Sequence, residues 1–263
     1  MKRVTLATLR DAKGRGEPFS CLTAYDATLA RAADEAGIDV LLVGDSLGMV
    51  LQGHTSTLPV TLEDIAYHTR CVSRGRSRSL LMVDLPFMSN ADTGQLLRDA
   101  GVLMRAGAEL IKIEGDAWMA DGIRELDRRG VPVCAHLGLA PQRVNRLGGF
   151  KVQGKDDADA RRIVEDAQHL VEAGAAAILL ECVPRALGQA VSQAVDVPVI
   201  GIGAGPDVDG QILVMHDVLG LDSGYSPRFV KNFLLGHDSI KAAFDRYDQA
   251  VKARHFPADE HCF

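Results

Sequence analysis

Several things are missing from this chain, and each absence removes a class of function. No apolar run approaches the roughly 20 residues that a membrane-spanning helix needs. The first residues, Met-Lys-Arg-Val-Thr-Leu, hold no apolar signal core before the charged stretch from Arg10 to Glu17, so the expected location is the cytoplasm. The five cysteines (Cys21, Cys71, Cys134, Cys182 and Cys262) include no CxxC pair. An odd, scattered set reads as reduced thiols, neither a disulfide frame nor a zinc site. Basic charge is also short: 29 Lys and Arg against 35 Asp and Glu give a net charge of −6. That balance argues against a nucleic-acid partner, and it means an anionic substrate must be met by locally placed cations or a metal. Aromatic residues make up only 5% of the 263, and no Ser/Gly/Pro-rich linker or low-complexity tract divides the chain. A single domain spanning residues 1–263 is expected, long enough to bury a sizeable core.

What is present is a recurring unit: a short apolar run, a polar residue at its end, then a segment of helical composition. The runs are Ser20–Ala24, Val40–Val43, Leu80–Val83, Leu110–Ile113, Val131–Ala135, Ala177–Leu180, Val197–Ile202 and Ile212–Met215. They are too short for helices and alternate with Ala/Arg/Glu/Leu-rich stretches. Three of those stretches stop at Ala-Gly pairs, at Gly37, Gly107 and Gly174, the punctuation of a helix ending before a short loop. Eight strand–helix units in about 250 residues predict an α/β fold, a (β/α)8 barrel, with a doubly wound open sheet as the alternative. The seventh unit departs, because Gly203 to Gln211 leaves room only for a helical turn. An extra helix is expected before the barrel, Val4 to Ala12, and another helical segment after it, Ser239 to Ala253.

The carboxyl ends of these strands carry the chemistry. The second ends in Asp45-Ser46, the third in Asp84, the fourth in Glu114, the fifth in His136 and the sixth in Glu181. Strand side chains two apart share a face, so Lys112 points with Glu114, opposite to Ile111 and Ile113. With the isoleucines toward the helices, the polar pair faces the barrel axis. The same register turns Asp45, Asp84, His136 and Glu181 inward, toward the face where such barrels gather catalytic groups. One Asp after a strand is most often a helix N-cap. Five co-directed strand ends are another matter, because unpaired carboxylates crowded together repel. Lys112 supplies one cation, and all-oxygen donors suit a hard divalent ion, Mg²⁺ with Mn²⁺ or Co²⁺ as substitutes, better than zinc.

Weaker candidates lie nearby. Gly201 to Gly205 follows the seventh strand, where barrels often bind phosphate, but lacks a dinucleotide fingerprint; a tight turn explains it equally. Gly148 to Gly154 reads either as a mobile lid over the pocket or as an ordinary surface excursion. His216-Asp217 is placed at the end of the eighth strand, and His261-Cys262 in a tail.

At these positions the sequence resembles the 3-methyl-2-oxobutanoate (ketopantoate) hydroxymethyltransferase family, within the phosphoenolpyruvate mutase and isocitrate lyase barrels. The likeness runs from about residue 20 to the end, through Thr23 to Asp26, Val43 to Met49, Gln52 to His54, Asp84 to Met88, Lys112 to Gly115, His136 to Leu139, Leu180 to Pro184 and Asp209 to Asp217. The resemblance implies Asp45, Asp84 and Glu114 as the magnesium site. It implies Asp45, Ser46, Asp84 and Lys112 as 2-oxoacid contacts, and Glu181 as general base. His136 is left between a ligand contact and a partner of metal-bound water. It further implies 5,10-methylenetetrahydrofolate as co-substrate and a large homo-oligomer, commonly a decamer. Two departures stand out: Asp116, where Gly is common, at the pocket edge, and the variable stretch from Ser223 to Ser226. A carbon–carbon lyase of the same barrels is the nearest rival, though no KKCGH-like segment is present. A catalytically silent barrel serving as a scaffold or ligand-binding protein is the other.

Overall fold

The computed structural model describes residues 2–221, 226–236 and 238–263. Eight parallel strands close into a barrel in chain order: β1 (Phe19–Thr23), β2 (Val40–Val43), β3 (Leu80–Asp84), β4 (Leu110–Glu114), β5 (Val133–Gly138), β6 (Ala177–Glu181), β7 (Val199–Ile202) and β8 (Gly210–Leu213). The open sheet fails because β1 pairs with β8, Phe19 beside Gly210 and Cys21 beside Ile212. Nearly every strand residue is buried, since each strand has packed side chains on both faces. That double burial is why the strands read as unbroken apolar runs.

Helices surround the barrel: α1 (Leu6–Arg15), α2 (Ala27–Glu35), α3 (Leu47–Val50), α4 (Leu62–Gly75), α5 (Thr93–Ala106), α6 (Ala120–Asp127), α7 (Val144–Leu147), α8 (Asp157–Glu172), α9 (Arg185–Ala194), α10 (Met215–Val218) and α11 (Ile240–Lys252). The Ala-Gly stops behave as expected, with Gly37, Gly107 and Gly174 all left-handed at φ 97°, 119° and 110°. The N-terminal helix starts two residues later than expected because Thr5 is its cap, exchanging hydrogen bonds with Thr8. It crosses the amino-terminal end of the barrel, where Lys13 Nζ meets Asp209 at 2.7 Å. The C-terminal helix, capped by Ser239, packs on β1 and α2 and so completes the ring. Its fully buried Tyr247 shares one hydroxyl proton between the carbonyls of Cys21 and Gln211, at 2.9 and 2.8 Å.

Several expectations need correction. β5 begins at Val133, after Pro132, whose nitrogen has no hydrogen to give a neighbouring strand. In the stretch 203–211, residues 203–209 form bends and irregular chain, with Gly203 and Gly205 at φ 61° and 80° and Pro206 beside them, and 210–211 already belong to β8, so no helical turn forms. β8 lies two residues earlier than expected, which moves His216 and Asp217 off the strand and onto α10. His261 and Cys262 are buried, and the Phe263 carbonyl accepts from the Arg185 amide at 3.1 Å, so the expected tail is packed against the barrel. Residues 223–225 of the variable stretch lie outside the described residues.

Candidate active site

Strand register assembles the site. In a parallel pair, residues opposite each other point the same way. Asp84 lies beside Lys112, Glu114 beside His136, and Gly138 beside Glu181. Asp45 is the exception: β2 ends at Val43, and Asp45 sits two residues further, in the turn before α3. Its amide donates to Asp84 Oδ2 at 3.0 Å, which carries the turn back over the barrel mouth. Gly138 lets the last step close. It is left-handed at φ 85°, and a Cβ there would stand 2.4 Å from the Glu181 carbonyl, too near for any other residue.

The side chains form a chain of contacts across five strand ends. Lys112 Nζ donates to Asp84 Oδ1 at 2.6 Å. His136 stands between two acids, Nδ1 3.6 Å from Glu114 Oε1 and Nε2 3.2 Å from Glu181 Oε2. Neither contact is aligned as a hydrogen bond, so both ring nitrogens and Glu114 Oε1 are buried without a hydrogen-bonding partner. Asp45, Asp84, Lys112, Glu114 and His136 are each at most 5% exposed, whereas the Glu181 side chain keeps 17% of its surface at the opening. Of the four carboxylates at these strand ends, Glu181 is thus the most exposed.

Burial pushes the Asp45 carboxyl well above the usual range, and the facing Asp84 and Glu114 carboxylates push it further; Lys112 and Gln142 pull the other way. Burial alone would lower Lys112, yet Asp84, Glu114 and Asp45 outweigh it and hold the ammonium firmly protonated. Burial and Lys112 also lower His136, but Glu114 and Glu181 prevail and raise it to about 9.

Two residues had no sequence signal for a role here. The Gln142 amide nitrogen donates to Asp45 Oδ2 and to the Leu85 carbonyl, both at 2.9 Å, while its backbone N–H donates to Glu114 Oε2 at 2.9 Å. One neutral loop residue therefore ties two of the acids together. The Tyr25 hydroxyl lies 2.9 Å from Ser46 Oγ. Ser46 makes no helix-capping bond with its side chain, which leaves that hydroxyl turned to Tyr25.

The donors suit a hard divalent cation. Asp45, Asp84 and Glu114 offer only carboxylate oxygens, Glu114 Oε1 is orphaned, and a single lysine faces three acids. Among the described residues no three acidic, His or Cys side chains already converge closely enough to hold an ion. Lys112 and Gln142 occupy one oxygen of each acid, Asp84 Oδ1, Asp45 Oδ2 and Glu114 Oε2.

A buried acid–lysine–histidine cluster at the carboxyl end of a closed parallel barrel defines a barrel enzyme site. The same fold occurs in a phosphonopyruvate hydrolase crystallised with oxalate and Mg²⁺, at TM-score 0.63 and 17% identity over 96% of this chain and 99% of that one. It recurs in a 2,3-dimethylmalate lyase of the phosphoenolpyruvate mutase/isocitrate lyase superfamily, at TM-score 0.59 and 19% identity over 79% and 80%. Among sequences, the 3-methyl-2-oxobutanoate hydroxymethyltransferase of Chromohalobacter salexigens is 74% identical over 100% of both chains. The protein of that name in Marinobacter nauticus is 59% identical over 99% of this chain and 98% of its own. The ketopantoate hydroxymethyltransferase family model matches residues 3–259, and the chain belongs to that family of transferases.

Proposed function

We propose that the chain transfers a hydroxymethyl group from 5,10-methylenetetrahydrofolate to 3-methyl-2-oxobutanoate, giving 2-dehydropantoate and tetrahydrofolate on the route to pantothenate. The observation that carries this reading is the placement of Glu181: a partly open carboxylate beside a cluster of buried charge. The chemical difficulty is a C3 hydrogen made acidic only by the neighbouring ketone. Glu181 takes that proton, and a positioned base contributes roughly 10² to 10⁴ in rate. The Lys112 ammonium faces the negative charge that moves onto the ketoacid oxygens, a preorganised interaction made by a buried cation. Ser46, oriented by Tyr25, binds the substrate carboxylate. His136, with Nε2 3.2 Å from Glu181 Oε2, holds that carboxylate in place beside the substrate. Asp45, Asp84 and Glu114 would hold Mg²⁺, which when bound supplies Lewis-acid charge to the keto oxygen as C3 loses its hydrogen. Water adds to the donor's methylene carbon and frees it from both folate nitrogens, giving formaldehyde and tetrahydrofolate, and C3 then bonds to that carbon as its oxygen takes a proton and becomes the hydroxyl.

Hydrogen exchange tests this directly. In deuterated water with Mg²⁺, the protein should wash deuterium into C3 of 3-methyl-2-oxobutanoate without any folate, followed by NMR. Glu181→Gln should abolish the exchange while the ketoacid still binds. No exchange with the unsubstituted protein would defeat the reaction; full exchange with Glu181→Gln would remove Glu181 from the role of base.

A further inference from the structure

A cavity of about 160 Å³ adjoins His136, and Lys112 is not among its lining residues. Its walls are the ends of β4 and β5, the turn at 141–147 above them, and the first half of α8. Three guanidinium groups line it, Arg143, Arg146 and Arg162, against two carboxylates, Asp116 and Asp166. The carboxylates are already engaged. Asp116 meets Arg143 at 3.0 Å, and Asp166 accepts from the Ala117 amide at 3.3 Å. Arg162 pairs with Asp159, which does not line the cavity. Arg146 is exposed and has no ionic or hydrogen-bonding partner among the described residues. In a chain of net charge −6, a cavity with a surplus of arginine and an uncommitted guanidinium is an exception.

Guanidinium groups recognise carboxylates through paired, charge-assisted hydrogen bonds. Leu137, Leu147 and Ile163 add apolar wall between the arginines, fit for a short aliphatic stem. Carboxylates on an aliphatic stem describe a glutamyl group. We propose that the cavity is the subsite for the glutamyl carboxylates of the folate donor, with Arg146 the principal contact and Arg162 the second. The inference rests on the donor assigned above. Asp116 holds Arg143 within the cavity wall, whereas Asp159, the partner of Arg162, lies outside the lining, so Arg146 is free for the ligand and Arg162 serves as second contact by giving up that outer pair.

Steady-state kinetics on the full-length Arg146→Ala and Arg146→Ala/Arg162→Ala proteins test the subsite. Two donors are compared, 5,10-methylenetetrahydrofolate and the corresponding tetrahydropteroate, which lacks the glutamate. With the folate donor, KM should rise roughly tenfold for Arg146→Ala and further for the double variant, while the KM for the ketoacid stays put. Arg146→Lys should recover part of the loss, because the charge remains and the fork does not. The tailless donor should bind the unsubstituted protein weakly and be indifferent to Arg146→Ala. Unchanged folate KM, or an equal loss with the tailless donor, would overturn the subsite. Donor-independent C3 exchange by the unsubstituted protein separates the two readings: its absence defeats the reaction itself, whereas exchange with unmoved folate KM defeats only the subsite.

Discussion

The two ends of the barrel both bury acids, and they treat them in opposite ways. At the amino-terminal end, Asp34 closes α2 under a set of donors: the Ser77 amide and hydroxyl at 2.9 and 2.8 Å, the Ser79 amide and hydroxyl at 2.6 and 2.7 Å, and the Arg78 amide. Burial would raise its pKa, but the bonds from Ser79 and Ser77 overcome that and hold it at about 2. Beside it, Asp39 is paired with Arg78 at 3.0 Å and Lys252 at 3.1 Å. At the carboxyl-terminal end, three acids share one lysine, Glu114 Oε1 has no hydrogen-bonding partner, and Asp45 is pushed up rather than down. Satisfied acids hold a fold together; acids left in mutual repulsion are positioned for something that arrives later.

The contrast is sharpest in activity. Asp45→Asn should lower kcat/KM by roughly 10²-fold or more, because it removes a proposed metal ligand and substrate contact. Asp34→Asn, at the opposite end, should leave kcat and KM unaltered at a temperature where the variant is folded. Steady-state kinetics decide it. A comparable loss in both variants would mean that the two ends are not functionally separate.

Stability should run the other way. Asp34→Asn keeps the shape but gives up charge-assisted bonds, at a cost of about 2 kcal/mol, or a Tm lower by about 4 to 8 °C at pH 7. The sign with pH follows from the lowered pKa. The Asp34 carboxylate stabilises the folded chain above its unfolded pKa near 3.8, and that contribution disappears as pH falls through about 2. The Tm gap between the two proteins should therefore narrow below pH 4. A gap that persists unchanged at low pH would assign the loss to packing instead of charge.

Most of the architecture was legible in the sequence, and the reason is physical. Strands buried on both faces must be short and apolar throughout, so their runs stand out, and left-handed glycines such as Gly107 mark where helices stop. Because side chains alternate along a strand, the inward set could be read from spacing alone, and Asp84, Lys112, Glu114 and His136 do lie in contact at the mouth. Loop contributions were not legible. Gln142 is neutral, lies in a turn without periodicity, and gains its place only when the chain folds back to Asp45, a residue 97 positions away in sequence. Tyr25 is hidden for a similar reason, since its bond to Ser46 depends on two loops meeting. β8 was misplaced because Gly210 and Gln211 open it and give no apolar signal. The arginine cavity belongs to the same class: its three guanidiniums come from a turn and a helix face that only tertiary structure brings together.

The smallest effect is the most diagnostic, because its sign is unusual. In the metal-free protein, held so with a chelator, Asp45→Asn should raise Tm by a few degrees, equivalent to about 1 kcal/mol. Asparagine keeps the shape, and its oxygen still accepts from the Gln142 amide nitrogen, so packing and that bond survive. What disappears is a buried carboxyl whose ionisation is opposed by burial and by Asp84 and Glu114. Lys112 loses one attractive neighbour but keeps its 2.6 Å contact with Asp84, so no buried charge is stranded. Adding Mg²⁺ should reverse the order of the two proteins, since a ligand that binds only the folded state stabilises the one that can hold it. Scanning calorimetry with and without metal gives all four values. A lower Tm for Asp45→Asn in chelator would show that Asp45 serves the fold as Asp34 does, and the distinction between the two ends would collapse.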